Sequence, residues 1–234
     1  MTRVMDTPLL SIVILARNAA GTLPAVLAAL DDGRRTGLVR EILLADGGST
    51  DFTVRRAEAA GAEVLVVPAG RGAQLAAGAA RAAGPWLLFL HADTVLAPGW
   101  AEAATAFIAD PANKSRAAVF RLQLDDAYPR ARRIERLARW RGRTLGLPYG
   151  DQGLLISADF YRAVGGFQPL PLMEDVDFVR RIGRARLVHL EVAAKTSAER
   201  YRAGGWWLRP LRNLSILALY FAGVPPRILR RLYG

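Results

Sequence analysis

Between residues 9 and 90, four short apolar runs alternate with helix-forming stretches, and few folds accommodate that order. Residues 9–15 are almost continuously apolar, as expected of a strand buried on both faces. Thr22 can cap a helix running to about residue 30, with Pro24 tolerated in its first turn. Residues 41–45 form a second strand. The tight turn from Asp46 to Asp51 leads into a helix ending at Gly61. Residues 63–67 form a third strand, Gly70-Arg71-Gly72 opens an alanine-rich helix ending at Gly84, and residues 86–90 form a fourth strand. This β-α-β-α-β-α-β order predicts an α/β fold built on a doubly wound, mostly parallel sheet. Such sheets bind ligands beyond the carboxyl ends of their strands. Arg17, Asp46 and Asp93 all fall at such ends.

The second half is less regular. It predicts a helix over 100–108, a strand over 117–124 and a basic helix over 130–143. A loop over 146–153 precedes a strand over 154–157 and a helix over 159–164 that stops at Gly165-Gly166. Another helix starts at Glu174-Asp175 and runs to about 182, and a late strand covers 187–192. From residue 203 the chain is aromatic, basic and apolar by turns. A length of 234 residues suits one domain over 1–200 with a helical C-terminal extension over 201–234. That extension packs on the domain or lies at a membrane surface.

Composition removes several chemistries. Without cysteine there are no disulfides, thiolate metal sites or cysteine nucleophiles. With only His91 and His189, a histidine-rich zinc site is excluded. The net charge of +11 comes almost entirely from arginine, which suits bidentate phosphate contacts. Residues 1–8 are polar and predict no secretory leader, hence a cytoplasmic protein. The apolar run over 214–224 falls short of the ~20 residues needed to span a bilayer.

The candidate residues each carry two readings. Asp46, followed by two glycines, can meet ligand N–H or hydroxyl groups where the backbone comes close; a cap does not need it. Asp51 reads as a plain helix cap. Asp93 at the end of an apolar strand can join a hard divalent ion that completes its shell with phosphate oxygens and water. His91 can point the same way or serve as a hydrogen-bonded structural residue. Arg71 opens a glycine-flanked helix, where a guanidinium and a helix N-terminus together favour anions; by position alone it is a surface arginine. Glu174 and Asp175 either favour the helix dipole or supply a general base. His189, in an apolar strand, reads as structural, and the charges over 130–143 read mainly as a solvated helix face.

Six motifs in order carry a resemblance. They are Ser11-Ile-Val-Ile-Leu-Ala-Arg-Asn18, Ala45-Asp-Gly-Gly-Ser-Thr-Asp51, Gly70-Arg-Gly-Ala-Gln74, Leu88-Phe-Leu-His-Ala-Asp-Thr94, Tyr149-Gly-Asp-Gln-Gly153 and Gly165-Gly-Phe-Gln-Pro-Leu-Pro-Leu-Met-Glu-Asp175. With them the chain resembles family 2 glycosyltransferases of the nucleotide-diphospho-sugar transferase type, the A-type fold. Within that family it looks most like the compact bacterial subgroup labelled radical-SAM/selenodomain-associated transferase 2. The resemblance implies a metal-dependent, inverting transfer of a sugar from a nucleotide-diphosphate donor to a hydroxyl acceptor that the residues do not identify. It implies nucleotide contacts from Ala16, Arg17, Asn18, Asp46, Gly47, Arg71, Gln74 and Ala92, with Asp46 at the base. Asp93 would coordinate Mg²⁺ or Mn²⁺ at the diphosphate. Asp175, with Glu174 beside it, would be the acceptor base. Tyr149, Gly150, Asp151, Gln152 and Arg200 would line the donor and acceptor pocket. The chain departs from the pattern at Ala20, where a glutamate is common, at Ala77, often asparagine, at Glu199, often arginine, and at His91, where the metal motif usually begins with aspartate.

Two other functions fit parts of the sequence. A sugar-phosphate nucleotidyltransferase would share the sheet, but the loop after the first strand holds only one glycine, Gly21. A non-catalytic binder of nucleic acid or anionic membrane would suit the charge, but no stacking-aromatic nucleic-acid motif is present, so no nucleic acid is expected as partner. Membrane contact need not compete with catalysis. Trp206, Trp207, Leu211, Leu214, Leu217 and Phe221, interleaved with Arg209 and Arg212, suit an interfacial helix as well as a packed one. The first of these predicts peripheral contact at the inner face of the membrane and a lipid-linked acceptor.

Overall fold

The computed structural model describes residues 9–233, apart from the side chains of Arg200 and Ala203. The polar segment 1–8 and the pocket role expected of Arg200 therefore lie outside the described residues. In chain order the elements are β1 (Leu10–Ala16), α1 (Leu23–Arg35), β2 (Val39–Asp46), α2 (Thr53–Ala59), β3 (Glu63–Val66), α3 (Arg71–Arg81), β4 (Trp86–His91), β5 (Thr94–Leu96) and α4 (Trp100–Ala109). They continue with β6 (Ala117–Leu124), α5 (Pro129–Trp140), β7 (Leu154–Ser157), α6 (Ala158–Ala163), α7 (Glu174–Ile182), β8 (Leu187–Thr196), α8 (Glu199–Gly204), α9 (Leu208–Phe221) and α10 (Pro226–Tyr233).

All eight strands form one sheet in the order β3-β2-β1-β4-β7-β6-β8-β5. The neighbours β1/β2, β1/β4, β2/β3 and β6/β8 are parallel, whereas β4/β7, β6/β7 and β5/β8 are antiparallel. Only β5 and β7 therefore run against the rest, as a mostly parallel sheet requires. The strand β5 was not anticipated. It has three residues, too short to register as a period, and exists because β8 extends four residues past the expected end at 192 and pairs with it.

Alternation along each strand separates two cores. Ile12, Ile14, Leu44 and Leu88 pack with α1, α2 and α4 on one face. Val13, Leu43, Leu87 and Phe89 pack with α3, α6 and α7 on the other. Helices on both faces are what bury a parallel sheet. Helix α1 outlasts the expected end near residue 30, because Trp100 packs where a Cβ on Gly33 would stand and holds its last turn against the core. Thr22 does not cap it. Its hydroxyl donates to the Ala92 carbonyl at 2.7 Å and ties the start of α1 to the loop after β4. In α5 the buried Glu135 accepts from the Leu124 N–H and from Arg132, while the other arginines face solvent.

Helix α3 approaches β1 through Gly78, where a Cβ would collide with Cγ1 of Val13. Val13 is buried and stiff at χ1 and cannot rotate away. Alanine would favour the helix by ~1 kcal/mol, but overpacking costs ~1–3 kcal/mol. Gly78→Ala is therefore expected to lower stability by up to about 2 kcal/mol, read as a lower urea midpoint at unchanged m.

The expected division at residue 200 falls inside α8. Beyond it, Ile216, Leu217 and Leu229 of α9 and α10 pack with Leu147, Leu172, Met173, Val176 and Val179. The extension thus rests on α7 and the loop before it, which carries it to the mouth of the sheet. No helix among the described residues is long and apolar enough to cross a membrane.

Candidate active site

The register pairs Ala16 with Asp46 and Leu15 with His91, so β1, β2 and β4 end level with one another. A cleft of about 780 Å³ opens beyond these ends. Ala16, Arg17, Asn18, Arg71, Gln74, Ala92 and Asp93 line its sheet side. A smaller pocket of about 110 Å³ lies against it and shares Arg71, His91 and Asp93. Tyr149, Gly150, Asp151 and Asp175 also line this inner pocket.

Asp46 lies beneath the cleft and does not line it. It is only 2% exposed, and one oxygen accepts the Gly48 and Ser49 N–H groups at 3.0 and 2.8 Å. The other accepts the Ser49 hydroxyl. The carboxylate thus shapes its own turn, for which Gly48 adopts φ +82°. Gly47 also lies outside the lining. The turn in turn holds the loop after β1: the Asn18 side-chain carbonyl accepts the Thr50 N–H at 2.8 Å, and Asp51 accepts the Ala20 N–H at 3.0 Å. Asp51 also accepts the Thr53 N–H at 3.0 Å, but the cap position of α2 is Phe52, so Asp51 is not the helix cap the sequence predicts. Gln74 reaches the cleft, but its amide donates to the carbonyls of Ala16 and Ala45 at 2.9 and 2.7 Å and clamps β1 to β2.

The inner pocket joins distant parts of the chain. The Gly150 N–H donates to Oδ2 of Asp175 at 2.8 Å. A Cβ on Gly150 would lie 2.7 Å from Nε2 of His91, so only glycine lets the histidine, the backbone amide and the carboxylate meet. Gln152 is buried and donates to the Phe120 carbonyl at 2.9 Å, holding the loop from below rather than lining the pocket. The Arg141 guanidinium sits 3.4 Å from the centre of the Tyr149 ring. Asp151 has a buried Oδ1 without a hydrogen bond, and burial pushes its carboxyl up to about 6 despite the opposing Arg141. His189 lies under Gly142, outside both cavities.

Glu174 and its neighbour Asp175 face different ways. Glu174 is 1% exposed, lines neither cavity and lies 3.8 Å from Nη1 of Arg71, with no hydrogen bond to either oxygen. Burial, then the charge of Asp175, pushes its carboxyl up to about 7 against the pull of Arg71. Burial by itself would lower the Arg71 guanidinium, but Glu174 and Asp175 outweigh it and raise it.

A carboxyl raised by folding binds more protons in the native state than in the unfolded chain, so stability is lost as pH rises from the unfolded value towards the folded one. Both Glu174 and Asp151 act in this sense, between about pH 4 and 7. The protein is expected to withstand more urea at pH 5 than at pH 7.5, and Glu174→Gln to remove much of that difference. An unchanged pH slope in the variant would place the burial penalty elsewhere.

The far wall of the cleft comes from the extension. Arg209, Arg212 and Asn213 of α9 and Arg230 and Tyr233 of α10 all line it. None of them was singled out from the sequence as part of a site. Their signal is the spacing 209, 212, 213, which puts three polar side chains on one helix face, while Leu211 and Leu214 mark the opposite one. Among the described residues, no group of three or more His, Asp or Glu side chains forms a closed metal cage. Asp93 with His91 at the cleft nevertheless fits a hard divalent ion whose other ligands are phosphate oxygens and water.

A family model described as Glycosyl transferase family 2 matches residues 11–162. No curated protein matches the sequence. Among solved structures, the chain is similar to mannosyl-3-phosphoglycerate synthase from Rubrobacter xylanophilus, with a TM-score of 0.64 at 17% identity over 96% of this chain and 74% of that one. S. aureus TarS 1-349 gives a TM-score of 0.62 at 14% identity over 96% and 69%. Glucosyl-3-phosphoglycerate synthase from Mycobacterium tuberculosis, in complex with Mn²⁺, uridine-diphosphate and glucosyl-3-phosphoglycerate, gives 0.56 at 20% identity over 80% and 70%. At such identities the likeness is one of fold, the A-type nucleotide-sugar transferase fold expected from the sequence.

Proposed function

Since the chain belongs to glycosyl transferase family 2, we propose that it transfers a sugar from a nucleotide-diphosphate donor to a hydroxyl acceptor, with inversion and with Mg²⁺ or Mn²⁺ as cofactor. The observation that carries the reading is that Asp93 and Asp175, 82 positions apart (175 − 93), line one small pocket. Family membership favours this reading over a nucleotidyltransferase or a non-catalytic binder. The finer placement in the radical-SAM/selenodomain-associated transferase 2 subgroup rests on the order of the six motifs.

In this mechanism the acceptor oxygen attacks the anomeric carbon while the bond from that carbon to the diphosphate oxygen breaks. Asp175 is the base. Its Oδ2 is oriented by the Gly150 N–H, and it takes the acceptor proton as the new bond forms. Arg71, fixed by Glu174 behind it, presents a guanidinium to the diphosphate. Asp93, with His91, would hold the divalent ion, which supplies charge stabilisation to the departing diphosphate. Asn18, held by the 46–51 turn, and Arg17 would frame the nucleotide, with Asp46 acting through that turn. Donor class is supported by the solved relative that binds Mn²⁺ and uridine-diphosphate. The boundary at 200 and the lining role of Arg200 belong to the same proposal.

Thermal unfolding with UDP, GDP, CDP or dTDP, each with and without Mn²⁺, tests it. One of the four is expected to raise Tm in a metal-dependent way, by the equivalent of ~2.7 kcal/mol at a hundredfold excess over Kd. No shift with any of them would end the donor assignment.

A further inference from the structure

We propose that the far wall of the cleft binds a phosphate group of the acceptor, carried either by a lipid or by a water-soluble compound; this rests on the transferase reading of the same cleft. Arg209, Arg212 and Arg230 bring three guanidinium groups to that wall. Their polar partners are neutral: Arg209 donates to the Tyr233 hydroxyl at 3.4 Å, and Arg212 to the Leu232 carbonyl at 3.0 Å and to that of Tyr233. Among the described residues no carboxylate lies within ion-pair distance of any of the three. Like charges gathered on one wall repel, and an anion between them relieves that repulsion.

The donor does not use this charge. A sugar nucleotide carries one negative charge per phosphate, and Arg71, with a divalent ion that Asp93 would hold, would answer that charge at the sheet side of the cleft. The surplus guanidiniums point to a second anion. Its position favours the acceptor. Arg209, Asn213 and Tyr233 line the inner pocket as well as the outer cleft, so they stand between the base Asp175 and the two outer arginines. A hydroxyl at Asp175 and a phosphate at Arg209, Arg212 and Arg230 would belong to one molecule. The apolar face of α9, with Leu211 and Leu214 60% and 61% exposed, lies on the other side of the helix and leaves the arginine face to the cleft.

The test titrates inorganic phosphate by calorimetry into the full chain saturated with the stabilising nucleoside diphosphate and Mn²⁺, so that the donor site is already filled. Phosphate is expected to bind, and Arg209→Gln and Arg230→Gln each to weaken it about tenfold while nucleotide affinity stays within a factor of about two. Among the described residues Arg230 makes no side-chain hydrogen bond or ion pair, so that variant reports on charge. Two results would overturn the proposal: no phosphate binding to the filled protein, or an equal loss of nucleotide affinity in the variants, which would assign the wall to the donor. Failure of the nucleotide to bind at all, with phosphate binding intact, would strike the transferase reading and leave the anion site standing. Sedimentation with phosphatidylcholine vesicles containing phosphatidate separates the two carriers. Binding that the Arg209→Gln/Arg230→Gln variant loses supports a lipid phosphate, and phosphate binding without sedimentation supports a soluble one.

Discussion

Asp175→Asn is expected to lower kcat for donor turnover, with water as acceptor, by about 10²–10⁴-fold. Asparagine keeps the shape of aspartate and one acceptor oxygen, so it can still receive the Gly150 N–H that now meets Oδ2 at 2.8 Å. It cannot take a proton. The substitution therefore isolates proton transfer from architecture. Nucleotide affinity should change by no more than about threefold, because Asp175 lies in the inner pocket and not along the outer cleft. A loss of kcat below tenfold would show that another group accepts the proton. Asp151 would then be examined next, since it lines the same pocket and its carboxyl is raised to about 6. Glu174 is the weaker substitute, because it is buried away from the cleft behind Arg71.

Asp93→Ala is expected to abolish the metal dependence of nucleotide binding and to lower kcat/KM by on the order of 10³-fold. Asp93 is a carboxylate at the carboxyl end of the strand region leading from β4, inside both cavities. In a site that takes one or two carboxylates and fills the rest with phosphate and water, one aspartate carries much of the affinity. The measurement is nucleotide affinity with and without Mn²⁺ in parent and variant. The parent should show a metal-dependent gap of at least tenfold, and the variant none. The same gap in both would remove Asp93 from the metal. Asp93→Asn, which retains an oxygen ligand but loses charge, should fall between them. Because nucleotide affinity is the readout, the result does not depend on knowing the acceptor.

The parallel half of the sheet was legible because its strands are buried on both faces. Residues 9–15 and 86–90 are nearly all apolar, and their helices lie between punctuating glycines, so period and length agree. The bounds of α7 and of β6 and β7 followed from the same signals. Register was not legible. Asp46 and Asp93 look alike in the sequence, each an aspartate at a strand end, yet one shapes a turn and the other opens on the cleft. The difference lies in Ser49, whose backbone and hydroxyl both reach Asp46. Gln152 and Gln74 likewise read as ligand contacts, and the fold engages both amides with backbone carbonyls. Such bonds join residues up to 58 positions apart, which no local pattern encodes.

Local order alone, the alternation of apolar runs, glycines and capping groups, was enough to set the class of fold and the edge of the sheet where ligands collect, because both follow from short-range sterics and from burying one stripe or two faces. Which side chains share that edge required the folded chain. Gly150 meets His91 and Asp175 because β7 enters the sheet antiparallel beside β4, and Arg209, Arg212 and Arg230 reach the cleft because α9 and α10 pack on α7. Both are long-range packing choices, decided by the fit of whole elements and not by the residues next to them in the chain.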